Sequence, residues 1–119
     1  MDKLKALNEL TRAVGVTGNE GGAADVAERY FSQYTPDVWR DRAGNVYAKM
    51  GEGKPTLLLM AHMDEVGMVV TKLEDNGMLR LASVAGVDPR VLPGSEVVVH
   101  GKVELCGVVG AIPPHLLSG

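Results

Sequence analysis

The stretch Thr56-Leu57-Leu58-Leu59-Met60-Ala61-His62-Met63-Asp64-Glu65-Val66-Gly67 decides how the rest of the chain is read. A short continuous apolar run that follows a turn cluster, here Gly51-Glu52-Gly53-Lys54-Pro55, reads as a strand buried on both faces. Residues 56–62 are therefore expected to form a buried strand ending in His62. Open α/β sheets present their chemistry at such strand ends. Side chains two apart in extended backbone share a face, so Asp64 falls on the His62 side and Glu65 on the other. Neutral imidazole is the commonest metal ligand, and a liganding His usually gives its second ring N–H to a carboxylate. His62 is thus the candidate metal ligand and Asp64 the candidate catalytic carboxylate that orients it. A bare His-x-Asp pair more often just caps a loop, but the apolar run before it and Val66-Gly67 after it favour the metal reading.

Upstream the pattern is helical. Leu4, Leu7, Leu10 and Val14 recur at helical spacing, with Asp2 as N-cap and Gly15 past the end, which predicts a core-packing helix. Thr17-Gly18-Asn19-Glu20 fits a capping box. Behind it Ala23, Val26, Ala27, Tyr30, Phe31 and Tyr34 form an apolar stripe, expected to be core, that stops at Thr35-Pro36. Residues 38–40 and 45–50 read as short strands around Arg42-Ala43-Gly44. Downstream of Gly67 the helical period disappears. Residues 68–73 and 78–84 flank Asp75-Asn76-Gly77, a strong hairpin signal, and residues 95–100 and 105–112 add strands. The fold class is therefore α/β, two helices and strands followed by a β-rich segment. The boundary falls between 1–67 and 68–119. Alternation across residues 78–83 predicts that the second part packs as a small barrel or sandwich.

The segments Asp41-Arg42-Ala43-Gly44-Asn45-Val46, Leu57 through Gly67, Val84 through Pro89, Leu92-Pro93-Gly94 and Gly107 through His115 together resemble the M42 metallo-aminopeptidases, in the family's order. This group includes glutamyl and deblocking aminopeptidases, some of them labelled endoglucanases. The resemblance implies the start of a metallopeptidase catalytic sheet, then the first part of a β-barrel-like insertion or dimerisation domain. It also implies a hydrolase that removes N-terminal residues from peptides, uses two divalent metal ions, zinc or cobalt, and assembles as a homo-oligomer through the insertion. Family members are much longer, so the general base and most ligands are expected beyond residue 119. His62 and Asp64 are the site residues that carry over. A catalytic zinc needs about three protein ligands and an open position. The isolated chain is accordingly expected to be inactive; the alternative is a non-catalytic self-association module derived from the same fold.

Composition narrows the partners. The chain has 119 residues, 45% hydrophobic and 23% charged, with a net charge of −3. These are ordinary globular values, and the scattered basic residues give no electrostatic reason to expect nucleic acid or membrane as partner; peptide substrates are the partners that the resemblance implies. Cys106 is the sole cysteine, which excludes an intrachain disulfide and points to a reducing cytoplasm. It reads as a small buried hydrophobe. His100 and His115 have no carboxylate at ligand spacing and are taken as structural, and Asp88 and Arg90 as a solvated turn. The adjacent Asp64-Glu65 pair does not suit a glycosidase, whose carboxylates face each other about 5–10 Å apart.

Overall fold

A computed structural model describes residues 2–111. Two helices come first: α1 (Lys3–Arg12) and α2 (Gly21–Phe31). Asp2 caps α1 as expected, its Oδ1 accepting from the amides of Leu4 and Lys5 at 3.0 and 3.1 Å, which satisfies donors that have no partner inside the helix. The face that α1 packs inward is not the leucine stripe. Ala6 is buried, whereas Leu4, Leu7 and Leu10 are 80%, 59% and 40% exposed. The two helices contact each other, and their buried residues are small, Ala6 on one and Ala23 and Ala24 on the other. Glu9 Oε2 bridges the pair, accepting from Arg29 at 2.8 Å and from the Tyr30 hydroxyl at 3.0 Å.

The aromatic stripe of α2 is likewise more open than expected. Phe31 and Tyr34 are exposed, and Tyr30 is half-buried. The strands behind the helix are too short to cover them. These are β1 (Val38–Arg40) and β2 (Val46–Ala48), an antiparallel pair in which Trp39 stacks on Tyr47 with ring centroids 5.2 Å apart. Arg40 ties β1 to α2, reaching Asp25 at 2.8 Å and Glu28 at 2.6 Å. Thr35 is buried and donates to the carbonyl of Lys49 at 2.7 Å.

Residues 56–62 do not form the buried strand that the sequence predicts. They pair with no strand among the described residues, and Leu57, Leu58, Leu59 and Met60 are exposed. Apolar composition makes a segment competent for a sheet interior, but strandedness and burial need neighbours on both edges and layers on both faces.

β3 (Gly67–Leu73) and β4 (Leu79–Val84) form the predicted hairpin. Its loop is three residues, Asp75 to Gly77: the amide of Gly77 donates to Glu74 O and that of Glu74 to Met78 O. Gly77 takes φ of 82°, the left-handed position that such a loop assigns to glycine. The register shifts between Val70 and Lys72, where the Thr71 hydroxyl donates to Arg80 O. Contacts group the chain into two compact units, one through Ala85 and one from Gly86. The second contains a 3₁₀ turn, Pro89–Val91, and the antiparallel pair β5 (Glu96–His100) and β6 (Glu104–Val108). The six described strands thus make three separate two-stranded sheets. No helix among the described residues is long and apolar enough to cross a membrane.

Candidate functional site

His62 and Asp64 lie together as the two-residue spacing predicts. His62 Nδ1 is 3.1 Å from Asp64 Oδ1, and also 3.1 Å from the Asp64 carbonyl oxygen. An ionised carboxylate only accepts, so the proton of this bond sits on Nδ1, leaving the lone pair on Nε2. The ring is open to solvent, with its side chain 86% exposed. Glu65 is exposed, and it joins the junction through its main chain instead of its carboxylate.

What holds Asp64 was not visible in the sequence pattern. Its Oδ2 accepts from the Thr17 hydroxyl at 2.7 Å. That bond, more than the one to His62, holds the Asp64 carboxyl below the usual aspartate range, against the opposing effect of partial burial. Thr17 was expected to cap a helix. No such cap forms: α2 begins at Gly21 behind Glu20, whose side chain accepts from the Gly18 amide at 2.6 Å, and the helix has no side-chain cap. The Thr17 hydroxyl is therefore free to turn to Asp64.

Main-chain bonds set this pairing. The segment after α1 runs parallel to residues 63–67 through a bridge between Val16 and Glu65. The Glu65 amide donates to Gly15 O at 2.7 Å, and the Thr17 amide to Glu65 O at 3.1 Å. Val16 then lies over Gly67, where a Cβ would meet Val16 Cγ1 at 2.5 Å. Glycine is required at 67 by that approach. The sequence did carry two clues, Gly15, read there as a helix end, and Gly67, read there as support for the metal site, and neither was read as a contact.

The donor set fits one position of a metal site. His62 offers a fixed imidazole with a free Nε2, and no group of three or more His, Cys, Asp or Glu side chains suited to a metal ion occurs among the described residues. The other candidates separate from it. His100 Nδ1 pairs with Glu104 Oε1 at 3.2 Å across β5 and β6, a carboxylate partner that the sequence reading did not give it. His115 lies outside the described residues. Cys106 is exposed, contrary to the buried reading, because it lies in a two-stranded ladder to which no further strand is added among the described residues. Asp88 caps the 3₁₀ turn by accepting from the Arg90 amide at 3.0 Å and pairs with the Arg90 guanidinium, an exposed local turn as expected.

Comparison with known proteins identifies the family of the chain. Residues 44–119 match the model of the M42 glutamyl aminopeptidases. The chain is 32% identical to the lysyl aminopeptidase of Pyrococcus furiosus, over 92% of this chain and 32% of that protein. It superposes on a TET aminopeptidase from the marine sediment archaeon Thaumarchaeota archaeon SCGC AB-539-E09 with a TM-score of 0.88 and 29% identity, covering 97% of this chain and 33% of the other. The Pyrococcus horikoshii TET1 peptidase, which can assemble into a tetrahedron or a large octahedral shell, matches with a TM-score of 0.70 and 36% identity, covering 96% of this chain and 34% of the other. The chain spans about a third of the length of the curated relatives it matches. With a family model covering well over half its residues and relatives alike across nearly all of it, the chain belongs to the M42 glutamyl aminopeptidase family.

Proposed function

We propose that this chain is the N-terminal portion of a di-metal aminopeptidase that releases N-terminal residues from peptides. Residues 1–67 would be the first part of its catalytic α/β domain and residues 68–119 the first part of a β-rich insertion. His62 is the metal ligand in this reading, through Nε2. Asp64 is the catalytic carboxylate that keeps the ring in the Nδ1–H tautomer and in one orientation. A divalent ion such as zinc or cobalt, when bound, supplies a Lewis acid and an activated water. What these residues contribute is a preset nitrogen ligand. The observation that carries the proposal is the 3.1 Å bond between His62 Nδ1 and Asp64 Oδ1, with Nε2 left open.

Losing a partner that orients a liganding His typically weakens metal affinity or activity about 10–100-fold. In the full-length enzyme, Asp64→Asn should keep the fold and lose activity by that order, and His62→Ala should lose metal. Unchanged turnover of an amino-acyl p-nitroanilide by the Asp64→Asn enzyme would overturn the assignment. The 119-residue chain itself should show no turnover with added zinc or cobalt, since the described residues bring together too few ligands. Self-association accompanies this reading. Residues 68–119 carry the subunit contacts, since unpaired strand edges are templates for association, and the similar TET1 peptidase can assemble into a tetrahedron or a large octahedral shell. A monomeric light-scattering profile over a wide concentration range would count against it.

A further inference from the structure

We propose that Thr17 is a positioning residue of this site, holding Asp64 so that Asp64 can hold His62. The inference rests on the reading of His62 and Asp64 above and extends it to the segment between α1 and α2. An aspartate carboxylate turns readily about its last torsion, whose wells are broad. A single bond from Oδ1 to an exposed imidazole would leave that rotation loose. Here each oxygen has its own partner, His62 Nδ1 on Oδ1 at 3.1 Å and the Thr17 hydroxyl on Oδ2 at 2.7 Å. The two bonds together fix the carboxylate plane. The Thr17 bond is the shorter, as expected for a hydroxyl donating to an anion. Its competing acceptor, Glu65 O, is farther at 3.3 Å.

Thr17 is itself held. Its branched side chain is stiff at χ1, and its amide is bound to Glu65 O, directly beside Asp64 in the chain. The Val16 contact with Gly67 sets the register of that pairing. No helix cap explains the residue, since α2 starts four positions later without a side-chain cap. The hydroxyl's close polar partner is the carboxylate.

The test is the tautomer of His62, read from its ring ¹⁵N shifts in the 119-residue chain, taken where those shifts no longer change on further addition of base. Wild-type protein should favour Nδ1–H. Thr17→Val and Thr17→Ala should each lower the ratio of Nδ1–H to Nε2–H roughly fivefold, the size of one net hydrogen bond. Thr17→Ser should restore it. The amide signals of Thr17 and Glu65 report whether the bridge persists, and using two hydroxyl-free variants guards against one that fails to fold. A ratio unchanged in folded Thr17→Val or Thr17→Ala, while Asp64→Asn shifts it, overturns the role of Thr17 and leaves the reading of His62 and Asp64 standing. A ratio unchanged even in Asp64→Asn overturns that reading and Thr17 with it.

Discussion

Two neighbouring parts of the chain, residues 56–60 and residues 63–67, differ in what fixes them. The first is nearly all apolar and lies exposed, with no strand paired to it among the described residues. The second has a mixed sequence, yet it is held by two main-chain bonds to Gly15 and Thr17, by the Val16 contact at Gly67 and by the Thr17 bond to Asp64. Hydrophobic composition gives a segment a reason to be covered. Only specific partners give it a position, and the candidate site sits on the part that has them.

The strongest way to break this contrast is Gly67→Val. A side chain there would collide with Val16, and overpacking of this kind typically costs about 1–3 kcal/mol. The urea midpoint should fall and the amides of Thr17 and Glu65 should exchange faster. An unaltered midpoint would mean that the junction yields freely. A smaller effect is expected on acidification. Bonds from Arg29 first and Tyr30 second hold the Glu9 carboxyl below the usual glutamate range. A depressed carboxyl contributes stability above its unfolded pKa, and that contribution is lost as pH falls through the folded value. Protection of the α1 amides should therefore drop below the ordinary glutamate range, and Glu9→Gln should remove that acid-dependent step. If the step survives in Glu9→Gln, another group is responsible. Smallest of all should be Leu58→Ser. At 67% exposed, Leu58 behaves as a surface residue, for which changes stay within about 0.5 kcal/mol. A larger loss in the urea midpoint would show that residues 56–60 are covered in solution.

Sequence was a good guide wherever a residue's partners lie close along the chain. Asp2 as a cap, both helices, the Asn76-Gly77 hairpin and the shared face of His62 and Asp64 all follow from spacings of a few residues. It misled where the outcome depends on what arrives from elsewhere. Leu4, Leu7 and Leu10 have the period of a buried face, but Ala6 is the residue of that helix that is buried. Thr17 has the local pattern of a cap, and a carboxylate 47 residues away takes its hydroxyl instead. The run 56–62 has the composition of an inner strand, but among the described residues no strand lies beside it to make it one.

The distance along the chain that separates Thr17 from Asp64 also has a meaning in time. The three ladders are hairpins whose halves close over short loops, whereas the bonds from Thr17 to Asp64 and Glu65 close spans of 47 and 48 residues. Long closures lose more chain entropy before any contact rewards them. The helices and hairpins should thus acquire protection first during refolding and the Thr17–Glu65 bridge last, an order that pulsed hydrogen exchange would contradict if the Thr17 amide were protected ahead of the β3–β4 ladder. By this account the geometry around His62 is a late product of folding, completed only after the elements on either side of it already exist.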